Sequence, residues 1–356
     1  MQIVMLGLSI TSSWGNGHAT TYRALVRQLA DRGHKVVFLE RDLPWYADNR
    51  DMPRPPGART EIYDSIASLQ ARFLPEVRDA DAVIVGSYVP EGIEVGTWVT
   101  TEARGVTAFY DIDTPVTLAK LSNGGADYIS KALIPKYDLY LSFTGGPTLE
   151  RLEREFGARM ARPLYCSVDP DQYAPEEADA AWDLGYLGTY SDDRQPSLTQ
   201  LMLEPARGLR DHRFVVAGAQ YPDDIAWPEN VERITHLPPR QHRGFYNAQR
   251  YTLNITRQDM IRAGWSPSVR LFEAAACGTP IISDYWDGLE AFFEPGREIL
   301  IARTAKDIEE YLHDVPEDER RALGARARER ILARHTSSHR AAELEMLALQ
   351  AQAARK

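Results

Sequence analysis

Cysteine is nearly absent: Cys166 and Cys277 are the only two in 356 residues, too few for a disulfide framework or a thiolate metal site, and both read as plain thiols. Long apolar runs are missing as well. No stretch approaches the ~20 residues of a membrane span. The opening MQIVMLGLSI lacks the basic flank and small-residue cleavage site of a secretory leader, so it reads as a first strand and the protein as cytoplasmic, with no integral membrane segment. Nor is there an excess of basic charge. With 41 Lys and Arg against 51 Asp and Glu, the formal charge of −10 lacks the footprint that displaces counterions from nucleic acid. No repeat or low-complexity tract interrupts the chain. What remains, 44% hydrophobic and 26% charged residues over a length beyond what one core usually serves, predicts a globular protein of two domains.

The first forty residues alternate strand, turn, helix and strand. An apolar run over 3–8 leads into SSWGNG, then a helical stripe of Tyr22, Leu25, Val26 and Leu29 closed by Gly33, then a second run over 36–39. Such alternation marks a parallel sheet wrapped by helices. Further strands are expected at 82–85, 106–110 and 139–143. After PTLERLEREFG, the segment RPLYCSVDPDQYAPEEADAAW mixes prolines and acids with little periodicity, as a connector does. The pattern restarts with strands at 184–187, 214–217, 231–235, 251–255, 280–283 and 298–301, and turns mostly helical from 307 onward. This predicts two Rossmann-like doubly wound domains over 1–165 and 181–335, a connector at 166–180, and a last helix over 336–356 that packs back on the first domain. Doubly wound sheets gather ligands at the carboxyl ends of their strands, so a ligand cleft between the two is expected.

SPSVRLFEAAACGTPIIS, residues 266–283, carries the most chemistry. Ser266 suits an N-cap and Pro267 the first helical position, which leaves the amides of Ser268, Val269 and Arg270 for an anion. On a 3.6-residue period Ser266, Arg270 and Glu273 share a face while Leu271, Phe272 and the alanines turn inward. Arg270 suits phosphate oxygens and Glu273 the vicinal hydroxyls of a ribose, a nucleoside diphosphate docked on a helix end. A structural ion pair between Arg270 and Glu273 is the alternative. Arg257, just beyond the strand YTLNI, stands at a strand end where it also suits phosphate.

The longer stretch WSPSVRLFEAAACGTPIISDYWDGLEAFFEPGREILIA resembles the nucleotide-binding segment of GT-B glycosyltransferases, in particular the family 4 and CgeB-like group. The resemblance implies that Glu273 holds the donor ribose and that Gly278 and Pro280 mark the helix exit. Trp265 stands where the family has another glutamate. RPLYCSVDPDQYAP is similar to the superfamily's connector, and YLGTYSDDR to a loop that holds the diphosphate, here through Thr189 and Arg194. HLPPRQHRGFYNAQ corresponds to the turn near the base, bordered by Leu237. The segment GHATTYRALVRQLADRGHKV resembles the family's opening, whose loop touches diphosphate or sugar. Gly17 there permits close backbone approach, and His18 is read as general base, phosphate contact or polar helix start. In FYDIDTP, Asp111 matches a catalytic-centre position that contacts sugar or acceptor, with turn capping as its alternative, and Asp113 reads equally as a site residue or a turn cap.

The resemblance implies transfer of a sugar from a nucleotide-diphosphate donor to an acceptor of unknown kind, small molecule, glycan or protein, with no cofactor and no metal. It favours retention of the anomeric configuration, while His18 keeps inversion open. Trp14, Trp45, Tyr46, Tyr88 and Trp98 suit either an acceptor surface or the core. Two rivals share the architecture: a sugar-nucleotide epimerase, and a non-catalytic protein that binds nucleotide or carbohydrate.

Overall fold

The computed structural model describes residues 1–355, which divide into two compact units, 1–166 with 337–355 and 167–336. In the first unit seven strands run parallel: β1 (Gln2–Gly7), β2 (Lys35–Arg41), β3 (Arg59–Tyr63), β4 (Ala82–Gly86), β5 (Val106–Asp111), β6 (Leu139–Ser142) and β7 (Ala161–Pro163). Their order is β3-β2-β1-β4-β5-β6-β7. Side chains of a strand alternate between faces, and here both faces are buried. Val4, Leu6, Val37, Leu39, Val83 and Val85 meet Leu69, Phe73 and Val77 of the helix Ile66–Asp79 on one side. Ile3, Met5, Val36, Phe38 and Ile84 meet Leu25, Val26 and Leu29 of the helix His18–Asp31 on the other. The last helix, Ser337–Ala354, joins this second cluster through Ala341, Leu344, Leu347 and Ala351.

Two strands of this sheet carry no clear sequence signal. In β3, RTEIY, only Tyr63 is buried, so no alternation announces it. β7 is three residues long and includes Pro163, which an edge strand tolerates because no neighbour needs its missing N–H.

The second unit holds six parallel strands: β8 (Trp182–Leu187), β9 (Phe214–Ala217), β10 (Val231–Ile234), β11 (Gln249–Asn254), β12 (Ile281–Ser283) and β13 (Leu300–Ile301), in the order β10-β9-β8-β11-β12-β13. The helix Val269–Ala276 buries Leu271, Phe272 and its alanines. Its exit is sealed by the helix Glu317–Arg334. A Cβ on Gly324 would lie 2.2 Å from the Gly278 carbonyl oxygen, so only glycine allows this approach, and Arg328 Nε donates to the Ala276 carbonyl at 3.1 Å. Among the described residues no helix is long and apolar enough to cross a membrane.

Candidate functional site

Strand order in the second sheet reverses between β8 and β11, so the loops leaving these strands diverge and their carboxyl ends stay open to a ligand. Arg270 bridges that point. Its Nε donates to the Leu187 carbonyl at the end of β8, and its Nη1 donates to Asn254 Oδ1 at the end of β11 at 3.1 Å and to Ser268 Oγ at 3.2 Å. The guanidinium also lies 5.1 Å from the centre of the Tyr186 ring.

The helix carrying Arg270 begins two residues later than the sequence suggested. Trp265 adopts a left-handed φ of 44° and donates its N–H to the Asp287 carbonyl at 2.6 Å, which holds the chain in a turn. Ser266 and Pro267 are buried in that turn, and the extended Ser268 is the N-cap. Ser268 makes no side-chain cap, so the amides of Val269 and Arg270 stand at the helix start without an intrahelical acceptor.

Two further guanidiniums act on this point. Arg194 Nη2 donates to the Thr189 carbonyl at 2.6 Å, while its enclosed Nε has no acceptor in the chain. Burial, and then the neighbouring charges of Arg270 and Arg257, pull the Arg194 pKa below its ordinary value. Arg257 Nε lies 3.5 Å from Asp193 Oδ2. Burial works to raise Asp193, but hydrogen bonds from Ser191 and the Gln258 amide, with Arg257 and Arg194 nearby, hold it low. Asp284, buried, accepts from the Thr256 amide at 2.8 Å and its hydroxyl at 2.7 Å, and burial pushes its pKa up. Arg194, Arg257 and Arg270 thus stand near Asp193, a carboxylate held ionised, and Asp284, whose charge burial disfavours. An adjoining pocket of about 290 Å³ is lined by Ser191, Arg257, Gln258 and Arg262 together with the carboxylates of Asp192, Asp193 and Asp259.

Asp193, Asn254, Thr256 and Asp284 were not singled out from the sequence. Their signal was present: YTLNIT and PIISD each end an apolar run in polar residues, at the strand end where ligands collect.

Glu273 lies one turn along the same helix, 5% exposed. Its Oε2 accepts from the Tyr246 hydroxyl at 3.1 Å and lies 3.9 Å from His242 Nδ1. His242 Nε2 meets the Leu237 carbonyl at 3.1 Å, which brings Leu237 and Glu273 together through one ring. Arg270 and Glu273 serve separate partners rather than each other.

In the first unit the strand order reverses between β1 and β4, and the loop 9–16 after β1 is held by a carboxylate. Buried Glu40 accepts the Ile10 and Thr11 amides at 2.7 and 3.0 Å and the hydroxyls of Ser9 and Thr11 at 3.0 and 2.6 Å. The first amides of the loop are therefore committed before any phosphate arrives. Gly17 remains open, since a Cβ there would meet nothing within 4 Å. His18 keeps partial exposure, but its Nδ1 is enclosed without a hydrogen-bond partner. Desolvation pulls its pKa to about 4, opposed by Asp113.

Asp111 is fully buried. It accepts from the Tyr140 hydroxyl at 2.6 Å, the Thr117 hydroxyl at 2.9 Å and the Asp113 amide at 3.2 Å, and burial pushes its pKa to about 6. The acid whose charge reaches His18 is Asp113, which accepts the Tyr88 hydroxyl at 2.9 Å, and the Tyr88 and His18 rings lie 5.5 Å apart. Trp14 and Trp45 are exposed, Tyr46 is half-buried, and Trp98 packs against the core.

Residues 194–346, which include Arg194, Leu237, Arg257, Arg270 and Glu273, match a family described as glycosyl transferase-like. No curated protein sequence matches the chain. Among solved structures it is similar to sucrose-phosphate synthase from Thermosynechococcus elongatus, with a TM-score of 0.70 at 16% identity over 99% of this chain and 100% of that one. Anabaena HepE in complex with UDP and glucose gives a TM-score of 0.68 at 11% identity, covering 98% and 100%. An alpha-glucosyltransferase in complex with UDP gives 0.68 at 13% identity, again over 98% and 100%. The architecture of two parallel-sheet α/β units is the GT-B fold.

Proposed function

We propose that the chain transfers a sugar from a nucleoside-diphosphate donor to an acceptor, and that the second unit holds the donor. The observation that carries this reading is the meeting of Arg194, Arg257 and Arg270 at the reversal in strand order, beside the amides of Val269 and Arg270. As the bond to the sugar breaks, the sugar becomes cation-like and the departing diphosphate gains charge. Fixed guanidiniums stabilise that state more than the ground state. In this reading they supply the positive charge themselves, without a metal ion. Thr189, Ser266 and Ser268 shape the anion site, Glu273 takes the ribose hydroxyls, and the main chain at Leu237 borders the base.

For the first unit we propose the acceptor side. His18, with a pKa of about 4, is neutral at pH 7 and presents a lone pair or an N–H to a substrate hydroxyl, with Asp113 to stabilise a transient positive charge. Asp111 supports that end of the sheet through its three hydrogen bonds. The resemblance to family 4 favours retention, which an NMR spectrum of the fresh product reads directly. The glycosyl transferase-like match over 194–346 supports the reaction class, and the two neighbours solved with UDP make UDP the first nucleotide to try.

Thermal unfolding with UDP, dTDP, GDP and ADP tests the donor site, because a ligand at a hundred times its Kd adds about 2.7 kcal/mol of stability. One nucleotide should raise Tm clearly, and Glu273→Ala should weaken it sharply with the fold intact. No shift with any of the four, or full nucleotide affinity in Glu273→Ala, defeats the reading. A neighbour titled as a putative UDP-N-acetylglucosamine 2-epimerase from Listeria monocytogenes, with a TM-score of 0.60 at 12% identity, motivates one control. Conversion of the nucleotide sugar without any acceptor identifies an epimerase, and binding without turnover identifies a non-catalytic protein.

A further inference from the structure

We propose that Tyr246 sets the selectivity of the donor site for ribonucleoside over 2′-deoxyribonucleoside diphosphates, by fixing one oxygen of Glu273 so that the other must be satisfied by a ribose hydroxyl. The proposal rests on the donor-site reading above and deepens it. Tyr246 comes from the helix Pro239–Asn247 and is wholly buried. Its main-chain carbonyl is held by the Thr279 hydroxyl at 2.9 Å, and its ring packs between Phe245 and Tyr173 at 6.1 and 6.5 Å. The ring has little freedom, so its hydroxyl is a fixed donor at 3.1 Å from Glu273 Oε2. His242 adds a weaker contact to the same oxygen at 3.9 Å, and its Nδ1 is in turn 3.4 Å from the Tyr173 hydroxyl.

Tyr246 and His242 approach Oε2, the Tyr173 hydroxyl also reaches the carboxylate, and in this proposal Oε1 is the atom left for the ligand. Because Glu273 is 95% enclosed, little water competes for it or replaces a missing partner. A nucleotide without its 2′-hydroxyl leaves a buried charged oxygen unsatisfied, which costs more than the contact itself. Without the Tyr246 hydroxyl the carboxylate is free to turn toward His242 and no longer penalises the missing group. Tyr246 does not touch the nucleotide in this scheme. It is a positioning residue, and a merely structural role would weaken both nucleotides alike.

The test is titration calorimetry on the whole protein with UDP, GDP and ADP, each against its 2′-deoxy counterpart. The parent should bind one ribonucleotide roughly 10- to 100-fold more tightly than its deoxy partner, as expected for one hydrogen bond to a buried charge. Tyr246→Phe should bring that ratio to within about threefold by weakening the ribonucleotide alone. Unchanged deoxynucleotide affinity then certifies that the variant is folded. If Tyr246→Phe does not fold, Tyr173→Phe, which removes a hydroxyl that reaches both His242 and the Glu273 carboxylate, should shift the same ratio by a smaller factor. A parental ratio retained in the variant overturns the proposal and leaves the donor site standing. Equal binding of both nucleotides by the parent overturns the ribose role of Glu273 and the proposal with it, and no binding at all overturns the site.

Discussion

Replacing His18 or Asp111 should unmask two titrations that oppose each other in the parent protein. Desolvation lowers His18 from 6.5 to about 4 against the pull of Asp113, and burial raises Asp111 from 3.8 to about 6 against hydrogen bonds from Tyr140 and Thr117. For the histidine the folded pKa is the lower one, so its contribution to stability is full above pH 6.5 and is lost as the pH falls through 4. For the aspartate the folded pKa is the higher one, so its contribution is full below pH 3.8 and is lost as the pH rises through 6. At 1.36 kcal/mol per unit each is worth about 3 kcal/mol, an upper figure for His18 because its ring keeps some contact with solvent. Between pH 4 and 6 the two slopes nearly cancel. Relative to the parent, His18→Gln should therefore lose up to ~3 kcal/mol as pH rises from 4 to 6, and Asp111→Asn should gain a similar amount from pH 4 to 6.5. Urea unfolding followed by circular dichroism at half-unit steps reads both, with the other carboxylates cancelling in the difference. If parent and variants trace parallel profiles, these groups are not enclosed as described and the neutral state of His18 loses its basis.

Arg194→Met should lower nucleoside-diphosphate affinity by roughly 10- to 150-fold, the worth of one charge-assisted hydrogen bond. It should leave the Tm of the ligand-free protein unchanged or higher, since it also removes a half-buried charge repelled by Arg270 and Arg257. Calorimetry beside thermal unfolding checks the pair, and a joint fall of affinity and Tm contradicts it. Gly324→Ala should cost about 1–3 kcal/mol by forcing the helix Glu317–Arg334 away from the Gly278 carbonyl. An unchanged unfolding midpoint in that variant counts against the contact.

The fold was legible where strands are buried on both faces. IVML, AVIVG and FVVA are continuous apolar runs that need no partner information to be recognised. RTEIY and ARP were silent, because an edge strand or a half-solvated one carries no such pattern. At the site, helical period alone was enough to set Arg270 and Glu273 on a common stripe. The start of their helix was misjudged because the left-handed Trp265 is fixed by the Asp287 carbonyl, more than twenty residues away in sequence. The partners of the arginines were equally out of reach: Asp193 meets Arg257 only through the way β8 and β11 adjoin. In FYDIDTP the two acids differ by burial, which neither their spacing nor their chemistry announces. Asp111 is sealed behind Tyr140, and Asp113 is left beside Tyr88 and His18.

The helix Ser337–Ala354 belongs to the first unit, yet it is synthesised only after the whole of 167–336. Synthesis of the intervening 167–336 takes on the order of 10–30 s at common elongation rates. Throughout that interval the helix His18–Asp31, already packed on the sheet through Leu25, Val26 and Leu29, lacks the neighbour that brings Leu344 and Leu347 into the same cluster. The first unit is thus left without part of its cover while 167–336 is made, and the eighteen-residue helix works as a latch that closes only after the intervening segment is complete.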